Sequence, residues 1–251
     1  MNVSPVPDLP EISEGDDLAA LIAERADLAG VDVICVASTV VSKAEGRAHD
    51  LDAFPAGPRA TEIANRLAEI TGEEKDPRFA QAVLEESTDL LIEAPFLLTE
   101  TRFGHVGVNA VIDRSNVPNN EILLLPKRPT ESARRLHASL DVPVIVTDTC
   151  GRPFRHGQRG VAIGRAGLPA SHDWRGEHDR DGRELGVTVE AIADELAAAA
   201  NLTFGEGSGS HPIAVIEGFD PDGFGGSEEL FRDVETDFVR QALREWSYAR
   251  D

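Results

Sequence analysis

Lysine is nearly missing from this 251-residue chain: it stands only at positions 43, 75 and 127, and arginine supplies the rest of the 24 basic residues. These bases face 45 acids, for a formal charge of -21. That balance argues against nucleic-acid binding, which needs Lys and Arg clustered on one face. It suits molar salt, where a Debye length of about 3 Å quenches a self-repulsion that would strain the fold in dilute buffer. The two cysteines, Cys35 and Cys150, are too few for a disulfide framework or a zinc set, and both read as reduced and unpaired. Cys150 reads as a small packed thiol rather than a nucleophile, because no His and Asn or Asp arrangement accompanies it. No apolar run approaches the roughly 20 residues of a membrane helix. The first residues are polar, acidic and Pro-rich, unlike a signal peptide. A soluble, cytoplasmic protein with neither membrane nor nucleic-acid partner is expected. Also absent is Gly-x-x-x-x-Gly-Lys-Ser/Thr; the nearest stretch, Gly151 to Gly157, has the wrong spacing and is followed by Gln158, which excludes a P-loop.

What is present reads as a mixed α and β chain, 41% apolar, enough for the core of one large domain or two small ones. Val31 to Ala37, Val142 to Thr147 and Pro212 to Glu217 are compact β-branched runs expected as core strands. Helices are expected where apolar residues recur on one face: Ile63, Leu67 and Ile70 after Pro58; Val189, Ile192, Ala193 and Leu196; and Phe231, Val234, Phe238, Ala242 and Trp246. The last stripe is expected to cover the core, with a subunit interface as the second reading. Asp220 to Ser227 reads as a turn region.

Candidate chemistry concentrates between Val144 and Gly167. A short apolar run delivers Asp148 and Thr149, followed by Arg152, Arg155, Arg159 and Arg165 among five glycines. A carboxylate and a hydroxyl at a strand end can hold a hard cation, arginines can fork onto phosphate or carboxylate, and glycines admit close backbone approach. The segment Thr101 to Val117 reads as a second strand-like run, ending in Asp113, Arg114, Ser115 and Asn116. Asp113 and Asp148 are therefore expected at strand ends on one edge of a sheet, where open α/β sheets put their sites. Taken singly, each reads equally well as a turn or N-cap aspartate. Lys43 reads as a point charge for a β- or γ-phosphate, or else as a solvated loop lysine. His105 and His156 are candidate bases, although a lone His is more often structural.

Together with Leu9-Pro10-Glu11-Ile12, Val40-Val41-Ser42-Lys43-Ala44-Glu45-Gly46-Arg47, and Gly182-Arg183-Glu184-Leu185 leading into Val187-Thr188, these two segments resemble the coenzyme F420-0:γ-glutamyl ligases, of haloarchaeal type. The blocks follow the family's order along nearly the whole chain. The resemblance implies the α+β fold of that family over residues 1–251 as one catalytic unit, any subdomain boundary being open, and a homodimer. It implies GTP as substrate, with Mg²⁺ or Mn²⁺ and K⁺ as a further candidate. Metal ligands would be Asp113, Asp148, Thr149 and Glu206, all hard oxygens. Asp113, Asp148 and Lys43 would be catalytic. Nucleotide contacts would come from Leu9, Pro10, Glu11, Ile12, Ser38, Thr39, Lys43 and Asn116, and from the stretch Phe204, Gly205, Glu206, Gly207, Ser208, Gly209, Ser210 and His211. Here the chain departs from the family, which usually has Gln in place of Glu206 and two acids after it; the change bears on a second metal and on the grip on the nucleotide.

The implied reaction joins L-glutamate to the lactyl carboxylate of coenzyme F420-0 and then adds a γ-linked glutamate. A free carboxylate does not react with an amine, so phosphoryl transfer from GTP would first make an acyl phosphate, with metal, Lys and Arg neutralising charge. Arg114, Arg152, Arg155 and Arg159 are candidate grips for the substrate phosphodiester and the glutamate carboxylates, their division of labour open. One rival is a metal-dependent phosphotransferase or phosphatase, although the aspartyl-phosphate kind wants Asp-x-Asp and this chain has Asp148-Thr149-Cys150. The other is a non-catalytic carrier of nucleotide or deazaflavin.

Overall fold

The computed structural model describes residues 1–246 apart from 116, 119, 120, 206, 208–210, 224, 225 and the side chain of 222. They form two compact units: Met1–Gly46 with Arg128–Leu230, and Arg47–Lys127 with the segment from Phe231. The first unit opens with β1 (Asn2–Pro5), α1 (Leu18–Arg25), β2 (Val33–Ala37) and α2 (Ser38–Ala44). The chain then builds the second unit from β3 (Ala48–Asp50), α3 (Pro58–Thr71), α4 (Pro77–Glu86), β4 (Ser87–Ile92), β5 (Leu98–Thr101), β6 (Val106–Val108) and β7 (Glu121–Leu123). It returns to the first unit with α5 (Pro129–Leu140), β8 (Val144–Arg152), β9 (Arg155–Ala166), β10 (His172–Asp173), β11 (Val189–Glu190), α6 (Ile192–Phe204) and β12 (Ile213–Glu217). α7 (Phe238–Glu245) belongs to the second unit.

The first unit is organised on a five-stranded sheet in the order β1-β12-β2-β8-β9. Only β2 and β8 run parallel, Ala37 standing opposite Thr147; the other pairs are antiparallel. Val33, Cys35 and Ile145 from the sheet pack with Leu196, Ala197 and Ala200 of α6. Burial pushes the Cys35 thiol far above its ordinary range, so it stays protonated and apolar in this core. β9 is pressed between helices, and its glycines make this possible. A Cβ on Gly160 would collide with the Ala197 carbonyl of α6, and one on Gly164 with the backbone of Pro129 and Thr130 at the start of α5.

In the second unit Ile63, Ala80, Val83, Leu97, Ile122 and Leu124 form a separate core. α3 begins with Pro58 at its first turn and stops at Gly72, whose φ of 74° supplies the left-handed cap. α4 has Pro77 at its start and Asp76 accepting from the Arg78 amide.

Several expected elements differ. Val189 is in β11 and not in the helix that follows, which starts at Ile192. The run from Thr101 is not one strand: Gly104 turns the chain, and Asn109, Ala110 and Val111 all have φ near 55°, which ends β6. The terminal stripe does not cover a core. Phe231 and Val234 precede α7, while Phe238 and Val239 on it are 77% and 69% exposed. The helix is held instead by its basic residues, Arg240 to Glu100 at 3.0 Å and Arg244 to Asp89 at 2.6 Å.

Candidate functional site

Where β2 stops, the chain enters α2 at once, so its first residue lies beside the continuing strand β8. Ser38 is buried, and its hydroxyl donates to Asp148 Oδ1 at 3.2 Å. Asp148 is half-buried one residue past the last β2–β8 pair, at the carboxyl edge of the only two parallel neighbours in this sheet. The same edge receives Pro212, at the start of the approach to β12. The Ala37 amide donates to the Pro212 carbonyl at 2.8 Å, and the His211 amide to the Phe204 carbonyl at 2.8 Å, closing the base of the loop. Phe204 is buried as the last residue of α6, and Gly205 follows with φ 73°. Gly207 is exposed. Glu206, Ser208, Gly209 and Ser210 lie outside the described residues.

Lys43, in the last turn of α2, places its ammonium against the Glu11 carboxylate. Glu11 is exposed, Leu9 half-buried, Pro10 exposed and Ile12 buried. This loop is tied to α2 by the Gly15 amide, which donates to the Ala44 carbonyl at 2.9 Å. Thr39 is half-buried beside Ser38 in the first turn of α2.

Thr149 is in the middle of β8, opposite Gly160, and the strand runs on to Arg152 instead of ending at Thr147. Successive strand side chains point to opposite faces. Asp148 faces Ser38 of α2, whereas Thr149 shares the face of Gly160, which touches α6. The Asp148 carboxylate and the Thr149 hydroxyl are therefore not directed at one point.

The expected common sheet edge for Asp113 and Asp148 is not found. Asp113 belongs to the second unit, in an isolated bridge with Leu123 of β7, whereas Asp148 is in the five-stranded sheet of the first. The Asp113 carboxylate accepts from the Ser115 amide at 2.7 Å and the Ser115 hydroxyl at 2.8 Å, a local Asx turn. Asn116 lies outside the described residues. Arg114 stacks its guanidinium over Phe79, 5.5 Å from the ring centroid.

Beyond Asp148 the β8–β9 hairpin carries its polar residues at the edge of the sheet. Arg152 donates to the His156 carbonyl at 2.9 Å. Arg159, opposite Cys150, pairs with Asp194 at 3.3 Å, and Asp194 also accepts from the Ala162 amide at 2.9 Å, tying α6 to the edge strand. Arg155 and His156 are exposed. Burial, and next the Asp148 charge, push the Cys150 thiol up, which disfavours a thiolate. His105 is buried in the second unit beside Phe103 and Phe231, and burial lowers its pKa to about 4. It is a neutral packed imidazole and not an accessible base.

The donor chemistry of this edge, a half-buried carboxylate with hydroxyl and main-chain oxygens, fits a hard divalent cation. Among the described residues no three His, Cys, Asp or Glu side chains gather as a ready metal cluster. Sequence reasoning missed the hydrogen bond from Ser38 to Asp148, the Lys43–Glu11 pair and the Arg159–Asp194 pair. The first had a signal, since both residues directly follow apolar runs that the fold pairs in parallel.

A family model described as F420-0:gamma-glutamyl ligase matches residues 8–218. The coenzyme F420:L-glutamate ligase of Halorubrum lacusprofundi is 66% identical over 249 residues, 99% of each chain. That of Halobacterium salinarum is 66% identical over 250 residues, again 99% of each. The one from Archaeoglobus fulgidus is 48% identical over 250 residues, covering 97% of this chain and 98% of its own.

Proposed function

Because the chain belongs to the F420-0:γ-glutamyl ligase family, we infer that it is a ligase of coenzyme F420 biosynthesis that joins L-glutamate to its deazaflavin substrate. The observation that carries this reading is end-to-end similarity at 66% identity to ligases of that name. We further propose that GTP drives the reaction, that the acceptor is the lactyl carboxylate of coenzyme F420-0, and that a γ-linked glutamate follows the first. The protein would act as a homodimer.

The chemistry needs an activated carboxyl group, since an amine cannot displace oxide from a free carboxylate. Transfer of the γ-phosphoryl of GTP to the acceptor carboxylate supplies it, and the glutamate nitrogen then displaces phosphate. Lys43 lies on the helix that leaves the carboxyl edge of β2, and we assign its ammonium to the nucleotide phosphates, in exchange for the Glu11 carboxylate it pairs with here. Leu9, Pro10, Glu11, Ile12, Thr39 and Asn116, with the stretch from Phe204 to His211, would complete the nucleotide contacts. Asp148 would hold Mg²⁺ or Mn²⁺, with Asp113 and Glu206 as further ligands and with Thr149, whose side chain is turned to the opposite face, contributing through its main-chain carbonyl. The ion when bound supplies charge neutralisation for the phosphoryl transfer. K⁺ is a further candidate ion. Arg152, Arg155 and Arg159 on the hairpin, with Arg114, are the proposed grips for phosphodiester and carboxylates.

Mass spectrometry of F420-0 incubated with the protein, GTP, Mn²⁺ and L-glutamate in molar KCl, with GDP counted in parallel, tests this reading. A glutamyl adduct matched by GDP is expected. GDP without an adduct would point to a phosphotransferase, and neither product to a carrier.

A further inference from the structure

Parallel pairing fixes the end of β2 beside β8, with Val36 opposite Val146 and Ala37 opposite Thr147. The next residues on each chain, Ser38 and Asp148, become neighbours. Ser38 is 2% exposed, and its hydroxyl donates to Asp148 Oδ1 at 3.2 Å. A serine hydroxyl has one proton to give, and here the carboxylate takes it. The torsion that orients an aspartate carboxylate is broad and two-fold, so a half-buried carboxylate keeps one orientation only when something beside it does so.

We propose that Ser38 is a positioning residue for Asp148: its hydroxyl holds in one orientation the carboxylate that would bind the divalent cation. This rests on the metal-ligand role proposed for Asp148. It gives the Ser38 side chain a task distinct from nucleotide contact and leaves the nucleotide the main chain at this position. Partners that hold a ligating carboxylate are worth about 10–100-fold in metal affinity.

The test is titration with Mn²⁺ alone in molar KCl, the free ion followed by electron paramagnetic resonance, on the full chain and on S38A, S38T and D148N. S38A is expected to weaken Mn²⁺ by about 10–100-fold, S38T, which restores the donor, to recover most of that loss, and kcat of S38A to rise toward the parent's as Mn²⁺ is raised. D148N reports on the underlying assignment. If D148N binds Mn²⁺ as the parent does, the ligand role of Asp148 fails and the inference with it. If D148N loses Mn²⁺ while S38A binds it unchanged, the role of Ser38 alone is overturned.

Discussion

A buried imidazole gives the second unit a pH dependence that can be read from one side chain. His105 packs against Phe103 and Phe231, and its pKa is lowered by burial from 6.5 to about 4. Above pH 6.5 both folded and unfolded chains hold it neutral, so it adds no pH dependence there. Between pH 6.5 and about 4 the unfolded chain binds a proton that the folded one refuses, so stability falls as pH falls through that window, by about 3 kcal/mol at its lower end. H105F should therefore show a shallower loss of denaturation midpoint than the parent between pH 6.5 and 4.5. Parallel curves for the two proteins would remove His105 from the acid response. The same residue shows what sequence alone hides: as a histidine beside a family motif it is a candidate base, and only its burial shows that no substrate proton reaches it. The place of Asp148, one residue past the last β2–β8 pair, was legible because it follows an apolar β-branched run. The opposed directions of Asp148 and Thr149 were not, because the run suggested a strand ending at Thr147 whereas pairing with β9 carries β8 on to Arg152.

At the scale of elements, the close approaches of β9 decide how the first unit is assembled. Gly164 has no room for a methyl group against the start of α5, and Gly151, in the neighbouring strand, has nothing within 4 Å of its would-be Cβ. G164A should cost about 1–3 kcal/mol by overpacking, seen as a thermal midpoint lowered by several degrees, while G151A should stay near the parent. Equal midpoints for the two variants would contradict the packing described. Elements fixed by local chemistry were readable from sequence: β2, β8 and β12 as compact β-branched runs, and α3 from Pro58, its spaced apolar residues and Gly72. The stripe from Phe231 to Trp246 misled because helical spacing does not say what a helix packs against; Arg240 and Arg244 anchor α7 through ion pairs and leave Phe238 and Val239 exposed. The Asn109–Val111 turn was equally hidden, since a β-branched valine at φ 55° runs against every local preference.

For the whole molecule, charge is the dominant fact. A net -21 repels itself over a Debye length of about 10 Å at 0.1 M salt and about 3 Å at 1 M. The thermal midpoint should climb steeply with KCl between those concentrations, and a midpoint indifferent to salt would contradict the reading of this composition. No helix among the described residues is long and apolar enough to cross a membrane. The reaction itself is tested most directly by following oxygen. With ¹⁸O in the lactyl carboxylate of F420-0, and with GTP, Mn²⁺ and L-glutamate in molar KCl, an acyl phosphate passes one labelled oxygen to the phosphate released as the amide forms. The account predicts one ¹⁸O in inorganic phosphate for each first glutamyl bond and none from a γ-linked second, whose activated carboxylate comes from unlabelled glutamate; formation of the first amide with unlabelled phosphate would contradict it.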